Sequence, residues 1–315
     1  MADSLPLALQ MCPFSASMEA ALAQRVTLFR WFELDAPAQA AWLAERAGQV
    51  AVMVTGGHIG CPSDLMRALP ALQLVAINGV GFDKVDLDLA RQLGVRVSTT
   101  PGTLTDDVAD LAVGLIIAQF RQIPAADSHV RSGAWPQGEM PLARKVSGSR
   151  FGILGLGQIG GAIAARLKAF GPVAYSGRTD RANGMTFISD PAELAGWADV
   201  LVVACAATAD TRNLVDARVL QALGPRGVLV NISRGSVVDE AALIAALQAG
   251  TISGAALDVY ADEPRVPEAL RQAANTVLTP HVASATAETR QAMADLVVAN
   301  IDAILADRPL PSAIA

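Results

Sequence analysis

Phe151-Gly152-Ile153-Leu154-Gly155-Leu156-Gly157-Gln158-Ile159-Gly160 reads as a short buried strand that runs into a glycine-rich turn and then a helix. Gly155 permits the tight turn, Gly157 lets a pyrophosphate approach the backbone, and Gly160 lets the helix pack closely on the strand. The helix N-terminus offers open N–H groups and a positive dipole end to phosphate. Ala162-Ile163-Ala164-Ala165-Arg166-Leu167 carries the helix on. The turn therefore stands where a dinucleotide site requires it.

Working outward, apolar runs alternate with helical patterns. After the turn, strands are expected at 173–176, 199–203, 227–231, 255–258 and 276–279. With 151–154 they make six parallel strands, a complete doubly wound dinucleotide domain. Before it, strands are expected at 7–9, 49–54, 71–77 and 95–98, with helices at about 17–24, 36–47, 62–69 and 86–93. A long helix from about Asp106 to Ala118 is apolar on nearly every side and is expected to be buried. Residues 132–149 are irregular, and Trp135 there reads as a core plug or an oligomer contact, with a lid as the alternative. A last helix at about 286–306 is expected to pack back on the N-terminal strands. The fold class is α/β with two doubly wound parallel-sheet domains. A Rossmann dinucleotide domain covers 102–285, and a discontinuous, flavodoxin-like substrate domain covers 1–101 plus 286–315.

The chain has 315 residues, 52% of them hydrophobic, which suits about two domains. A net charge of -6 gives no basic field for nucleic acid or a membrane surface. Aromatics at 4% leave little for base stacking. Cys12, Cys61 and Cys205 lack metal-ligand spacing and suggest a reducing compartment, with no metal site. The first basic residue is Arg25, so a basic leader region is missing, and the expected location is the cytoplasm.

The end of the second strand of the dinucleotide domain indicates the cofactor. An NAD site carries an acidic residue there for the ribose hydroxyls. Here Val173-Ala174-Tyr175 leads into Ser176-Gly177-Arg178-Thr179. No carboxylate stands there to repel a 2′-phosphate, Arg178 offers a planar fork, and Ser176 and Thr179 offer hydroxyls. The reading favours NADP over NAD. Asp180 and Arg181 read as solvated.

Three later strand ends carry polar residues: Asn231-Ile232-Ser233-Arg234, Asp258-Val259-Tyr260-Ala261-Asp262-Glu263, and Thr279-Pro280-His281. Reducing a 2-ketoacid requires a cation for the carboxylate and carbonyl oxygen, an acid to protonate the forming alkoxide, and a carboxylate beside that acid. Arg234, His281 and Glu263 meet those needs. Thr55 and Gly56, at the end of an N-terminal strand, suit a small ketoacid. His58 and His129 are read as lying outside the chemistry, and the cysteines as packing residues.

With these motifs the chain resembles the D-isomer-specific 2-hydroxyacid dehydrogenase family over essentially its whole length. The matching segments are Asn78-Gly79-Val80-Gly81-Phe82-Asp83, Thr100 through Asp110, the glycine turn and the three strand ends above. The resemblance implies a catalytic set of Arg234, Glu263 and His281, with the substrate carboxylate held by the N–H groups of Val80 and Gly81. It implies cofactor contacts from Thr105 and Asp258, the latter at the nicotinamide carboxamide. Further contacts are implied from Leu156, Gln158 and Ile159 of the turn, from Cys205, Ala206 and Thr211, and from Ile232 and Ser233. It implies a homodimer through the dinucleotide domain. Trp135 through Glu139, Ser176-Gly177-Arg178 and Leu201 through Ala206 resemble the glyoxylate/hydroxypyruvate and hydroxyphenylpyruvate reductase subgroup. Ala206-Ala207 departs from the Pro found there in many relatives. The expected activity is NADPH-dependent reduction of glyoxylate, hydroxypyruvate or an aryl pyruvate. NAD-linked D-2-hydroxyacid oxidation and a dinucleotide-sensing binding protein are the alternatives.

Overall fold

The computed structural model describes residues 5–182 and 184–315. It divides into two compact units, Met1–Leu104 with Thr286–Ala315, and Thr105–Ala285.

The first unit contains strands β1 (Leu7–Gln10), β2 (Thr27–Arg30), β3 (Val50–Gly56), β4 (Leu74–Asn78) and β5 (Arg96–Ser98). Between them run helices α1 (Ala16–Ala23), α2 (Ala36–Arg46), α3 (Ser63–Ala68) and α4 (Leu87–Leu93). All pairings are parallel, in the order β2-β1-β3-β4-β5, which is the flavodoxin-like order. Alternate residues of the strands supply two cores. Leu9, Met53, Val75 and Ile77 lie in one, and Ala8, Val52, Val54 and Ala76 in the other, as the two-residue period of a strand requires. Asp35 and Asp86 cap α2 and α4 by accepting the Ala38 and Leu89 N–H groups. The strand β2 was not expected from sequence. It is a short edge strand with exposed ends, so Thr27-Leu28-Phe29-Arg30 has no apolar run to mark it.

The second unit starts with α5 (Thr105–Arg121) and α6 (Ile123–Arg131), divided at Gln122 with φ 52°. Then come β6 (Phe151–Leu154), α7 (Gln158–Leu167), β7 (Val173–Ser176), β8 (Thr186–Phe187), α8 (Pro191–Trp197), β9 (Val200–Val203), α9 (Ala217–Leu223), β10 (Val228–Asn231), α10 (Glu240–Gln248), β11 (Gly254–Leu257), α11 (Glu268–Arg271) and β12 (Thr276–Leu278). The sheet order is β12-β11-β10-β9-β6-β7-β8. The first strand, β6, thus stands at the switch point of a Rossmann sheet. Strands β6, β9, β10 and β11 are buried at every residue, which is why they read as unbroken apolar runs. The two-residue β8 is a seventh strand that the sequence did not show.

The structure departs from the sequence reading at α5 and at Trp135. Helix α5 is not buried all round: Asp106, Asp110 and Gly114 make an exposed stripe, and both aspartates pair with Arg166 of α7. Trp135 is no core plug, since it is 64% exposed on a single helical turn, Trp135–Gln137. The chain ends with α12 (Ala287–Leu305), whose Val297 and Ile301 join Met18 and Leu22 in the core of the first unit. Beyond it Ala313 bridges Ser98 at the edge of β5. No single helix among the described residues is long and apolar enough to cross a membrane, and no His, Cys, Asp or Glu cluster suits a metal.

Candidate active site

Arg234, Glu263 and His281 all lie just beyond carboxyl ends of strands in the second unit. The His281 imidazole Nδ1 lies 2.6 Å from Glu263 Oε2, a length typical of a charge-assisted bond. Both side chains are partly exposed, 35% and 23%. Glu263 Oε1 accepts the Tyr260 N–H at 3.0 Å. Burial pushes the Glu263 carboxyl up. The hydrogen bond and charge of His281 outweigh it, helped by the Tyr260 N–H and Arg234, so the carboxyl sits below its ordinary value.

The loop carrying Arg234 is braced from within. Asn231, at the end of β10, donates from Nδ2 to the Arg234 carbonyl at 3.0 Å and accepts the Ser233 N–H at 3.1 Å. The Arg234 guanidinium donates to the Ser233 carbonyl at 2.8 Å. A Cβ on Gly235 would collide with the Tyr260 and Ala261 backbone. Glycine there lets the arginine loop lie against the segment that bears Glu263.

Asp258, expected to touch the cofactor, is fully buried. Its carboxylate accepts the Thr279 hydroxyl at 2.6 Å and the N–H groups of Val282 and Ala283 at 2.9 Å each. Tyr260 lies beside it, donating to the Leu257 and Thr279 carbonyls. Burial, with the Asp258 and Glu263 charges, pushes its hydroxyl up to about 12, so it stays protonated at neutral pH.

The glycine turn is open to a phosphate. Among the described residues, the N–H groups of Leu156, Gly157, Gln158 and Ile159 find no acceptor. A Cβ on Gly157 would enter open space. One on Gly155, at φ +94°, would strike Cys205, and one on Gly160 would strike the Gly155 carbonyl. The three glycines thus divide into one that clears a ligand path and two that permit the fold. A nicotinamide dinucleotide fits this arrangement. Thr105 opens α5. Ser233 donates its hydroxyl to the Cys205 carbonyl, and Thr211 closes the loop onto the Ala206 carbonyl at 2.7 Å. Ile232 is buried. Burial pushes the Cys205 thiol up to about 11, so it is no nucleophile at neutral pH.

After β7, Arg178 and Thr179 are exposed, and Arg178 forms no ion pair among the described residues. Ser176 departs from expectation: its hydroxyl donates to the Ser189 carbonyl at 2.9 Å, which leaves no proton for a phosphate. Asp180 departs too. It is not merely solvated, because it accepts the Tyr175 hydroxyl and the Ala182 N–H.

In the first unit, the N–H groups of Val80 and Gly81 find no acceptor among the described residues, as two anion donors require. Thr55 offers its side chain to no ligand: it is fully buried and donates to the Gly60 carbonyl at 2.8 Å. A Cβ on Gly56 would meet the His58 ring at 2.8 Å, so glycine fixes that strand end. His129 is a surface brace, its Nε2 lying 3.0 Å from the Gly138 carbonyl.

Residues 113–283 match the family model for the D-isomer specific 2-hydroxyacid dehydrogenase, NAD binding domain. The chain belongs to the D-isomer specific 2-hydroxyacid dehydrogenase family. Hydroxyphenylpyruvate reductase of Plectranthus scutellarioides is 47% identical over 304 residues, 96% of each chain. Glyoxylate/hydroxypyruvate reductase A of Arabidopsis thaliana is 45% identical over the same share. The crystal structure of an NADPH-dependent glyoxylate/hydroxypyruvate reductase from Sinorhizobium meliloti, in complex with NADP and malonate, superposes with a TM-score of 0.92. It is 42% identical, over 99% of this chain and 97% of that one. In this 2-hydroxyacid dehydrogenase, sequence reasoning gave no role to Asn231, Gly235 or Tyr260. Asn231 was the one with a signal, a lone amide closing the apolar run Val228-Leu229-Val230.

Proposed function

We propose that this dehydrogenase acts as an NADPH-dependent 2-ketoacid reductase, taking glyoxylate, hydroxypyruvate or an aryl pyruvate to the D-2-hydroxyacid. The observation that carries the reading is the 2.6 Å contact between His281 Nδ1 and Glu263, whose carboxyl also feels the Arg234 charge. When bound, the dihydronicotinamide supplies a hydride to the keto carbon. With Nδ1 turned to Glu263, His281 gives its proton from Nε2 to the carbonyl oxygen as negative charge develops there. The Arg234 guanidinium orients the substrate carboxylate and polarises the carbonyl. The N–H groups of Val80 and Gly81, which find no acceptor among the described residues, are suited to hold a carboxylate.

Two observations support NADPH over NADH. Arg178 is exposed and forms no ion pair among the described residues, and Asp180, the one carboxylate in the sequence segment from Ser176 to Arg181, is turned onto its own loop. The exposed apolar residues Val130, Trp135 and Leu142 of the dinucleotide unit, 57%, 64% and 98% exposed, support a homodimer formed through that unit.

The test is NADPH oxidation with hydroxypyruvate, glyoxylate and phenylpyruvate, each beside an identical NADH assay. Turnover with strong NADPH preference is expected. Equal rates with NADH would discard the cofactor preference alone. Silence with every ketoacid would discard the reductase reading.

A further inference from the structure

We propose that Tyr175 and Asp180 are positioning residues for cofactor choice: the Tyr175 hydroxyl holds the Asp180 carboxylate inside its own loop, so that the ribose 2′ position meets Arg178 and no competing negative charge. This inference rests on the NADPH reading above.

Tyr175 lies one residue before the end of β7 and is fully buried. Its ring packs on Phe187 of the neighbouring β8 at 5.3 Å between centroids. Its hydroxyl donates to Asp180 Oδ1 at 2.7 Å and accepts the Arg181 N–H at 2.6 Å. Asp180 Oδ1 also accepts the Ala182 N–H at 2.9 Å. One hydroxyl from the sheet interior therefore pins the chain at 180 and 181, just past Ser176-Gly177-Arg178-Thr179. The Tyr175 bond, then the Ala182 N–H, hold the Asp180 carboxyl below its ordinary range, so it is ionised at neutral pH. It is the one carboxylate in the segment from Ser176 to Arg181, and it pairs with neither Arg178 nor Arg181 among the described residues. Released toward the ribose, such a group would repel a 2′-phosphate and would accept the hydroxyls of a plain ribose. A carboxylate that sequence places beside an NADP loop is thus made harmless by conformation.

Tyr175→Phe keeps the ring and removes the hydroxyl. Nicotinamide fluorescence titrations would give Kd for NADPH and NADH, and turnover with hydroxypyruvate would give kcat. The variants are Y175F, D180N, Y175F/D180N and R178A, run beside the unchanged protein. Y175F should weaken NADPH about fivefold, one net hydrogen bond's equivalent. It should leave NADH unchanged or tighter and kcat unaltered. Adding D180N should restore NADPH binding, because the released charge is gone. Equal weakening of both cofactors without rescue, or an unchanged ratio of the two Kd values in Y175F, would overturn the proposal. Those results, with NADPH preference present and abolished by R178A, would overturn the brace alone. An unchanged protein without preference, unmoved by R178A, would overturn the NADPH reading and the brace together.

Discussion

The His281 N–H donates to the Asp258 carbonyl at 2.9 Å, while the Asp258 carboxylate accepts the N–H groups of the next two residues, Val282 and Ala283. His281 sits at φ 53°, a left-handed conformation uncommon outside glycine. Such a conformation persists where its surroundings fix it, and here one buried aspartate fixes it. Asp258→Asn puts an amide N–H₂ against at least one backbone or hydroxyl donor. The expected cost is about 1–3 kcal/mol for the unmet buried group, with kcat falling as the imidazole loses its aim. Thermal melts and steady-state rates measured together check this. A variant with lowered melting temperature but full kcat would detach Asp258 from the orientation of His281.

Glu263 is expected to make the enzyme's response to acid distinctive. Its folded pKa lies below its ordinary value of 4.5. A depressed carboxylate contributes stability that is present above the unfolded pKa and lost as pH falls through the folded one. The stability gap between the unchanged protein and Glu263→Gln should therefore be full at neutral pH and close in acid, below about pH 4. At neutral pH the variant should lose about a hundredfold or more in kcat, the low end for a general acid without its partner. A gap that stayed constant from pH 7 to the acid limb would show that the carboxylate charge contributes nothing to the fold.

Arg234→Lys separates charge from geometry. The guanidinium already donates to the Ser233 carbonyl, so the planar fork is oriented by its own loop before substrate arrives. Lysine keeps the charge and loses the fork. The expected result is a fall in kcat/KM of about tenfold to a hundredfold, since charge-assisted bonds contribute roughly 1.5–3 kcal/mol. Cofactor Kd should not move. If the lysine variant matched the arginine enzyme on every ketoacid, carboxylate recognition would have to lie elsewhere.

What the sequence made visible follows from burial. The central strands of the second unit are covered on both faces, so their apolar runs are continuous and their polar ends stand out. Arg234 and Glu263, which follow the central strands β10 and β11, are conspicuous for that reason, and His281 stands out after the apolar pair Val277-Leu278 of the edge strand β12. The edge strands β2 and β8 lack such contrast and passed unseen. Hydrogen-bond direction was also hidden. Ser176 looks like a cofactor-facing group in the sequence and Asp180 like a solvated one, yet both turn onto their own chain, because that depends on where Ser189 and Tyr175 lie after folding. The bracing by Asn231, Asp258 and Tyr260 is hidden in the same way: each satisfies backbone groups of a loop whose path no local pattern specifies.

The glycine turn offers a test that separates fold from ligand. A Cβ on Gly157 meets nothing within 4 Å, whereas one on Gly160 meets the Gly155 carbonyl. Gly157→Ala should therefore keep its melting temperature, within the roughly 0.5 kcal/mol of an uncontacted surface change. It should still weaken NADPH about tenfold or more, because the methyl occupies the space a pyrophosphate needs. Gly160→Ala should act the other way round. Helix α7 must move off β6 to admit the methyl, so stability should fall by about 1–3 kcal/mol, the usual cost of overpacking. Titration of both variants with NADPH, alongside thermal melts, gives the comparison. If Gly157→Ala bound NADPH as tightly as the unchanged protein, the phosphates would not cross the turn at that point, and the open N–H groups of Leu156 to Ile159 would need another ligand.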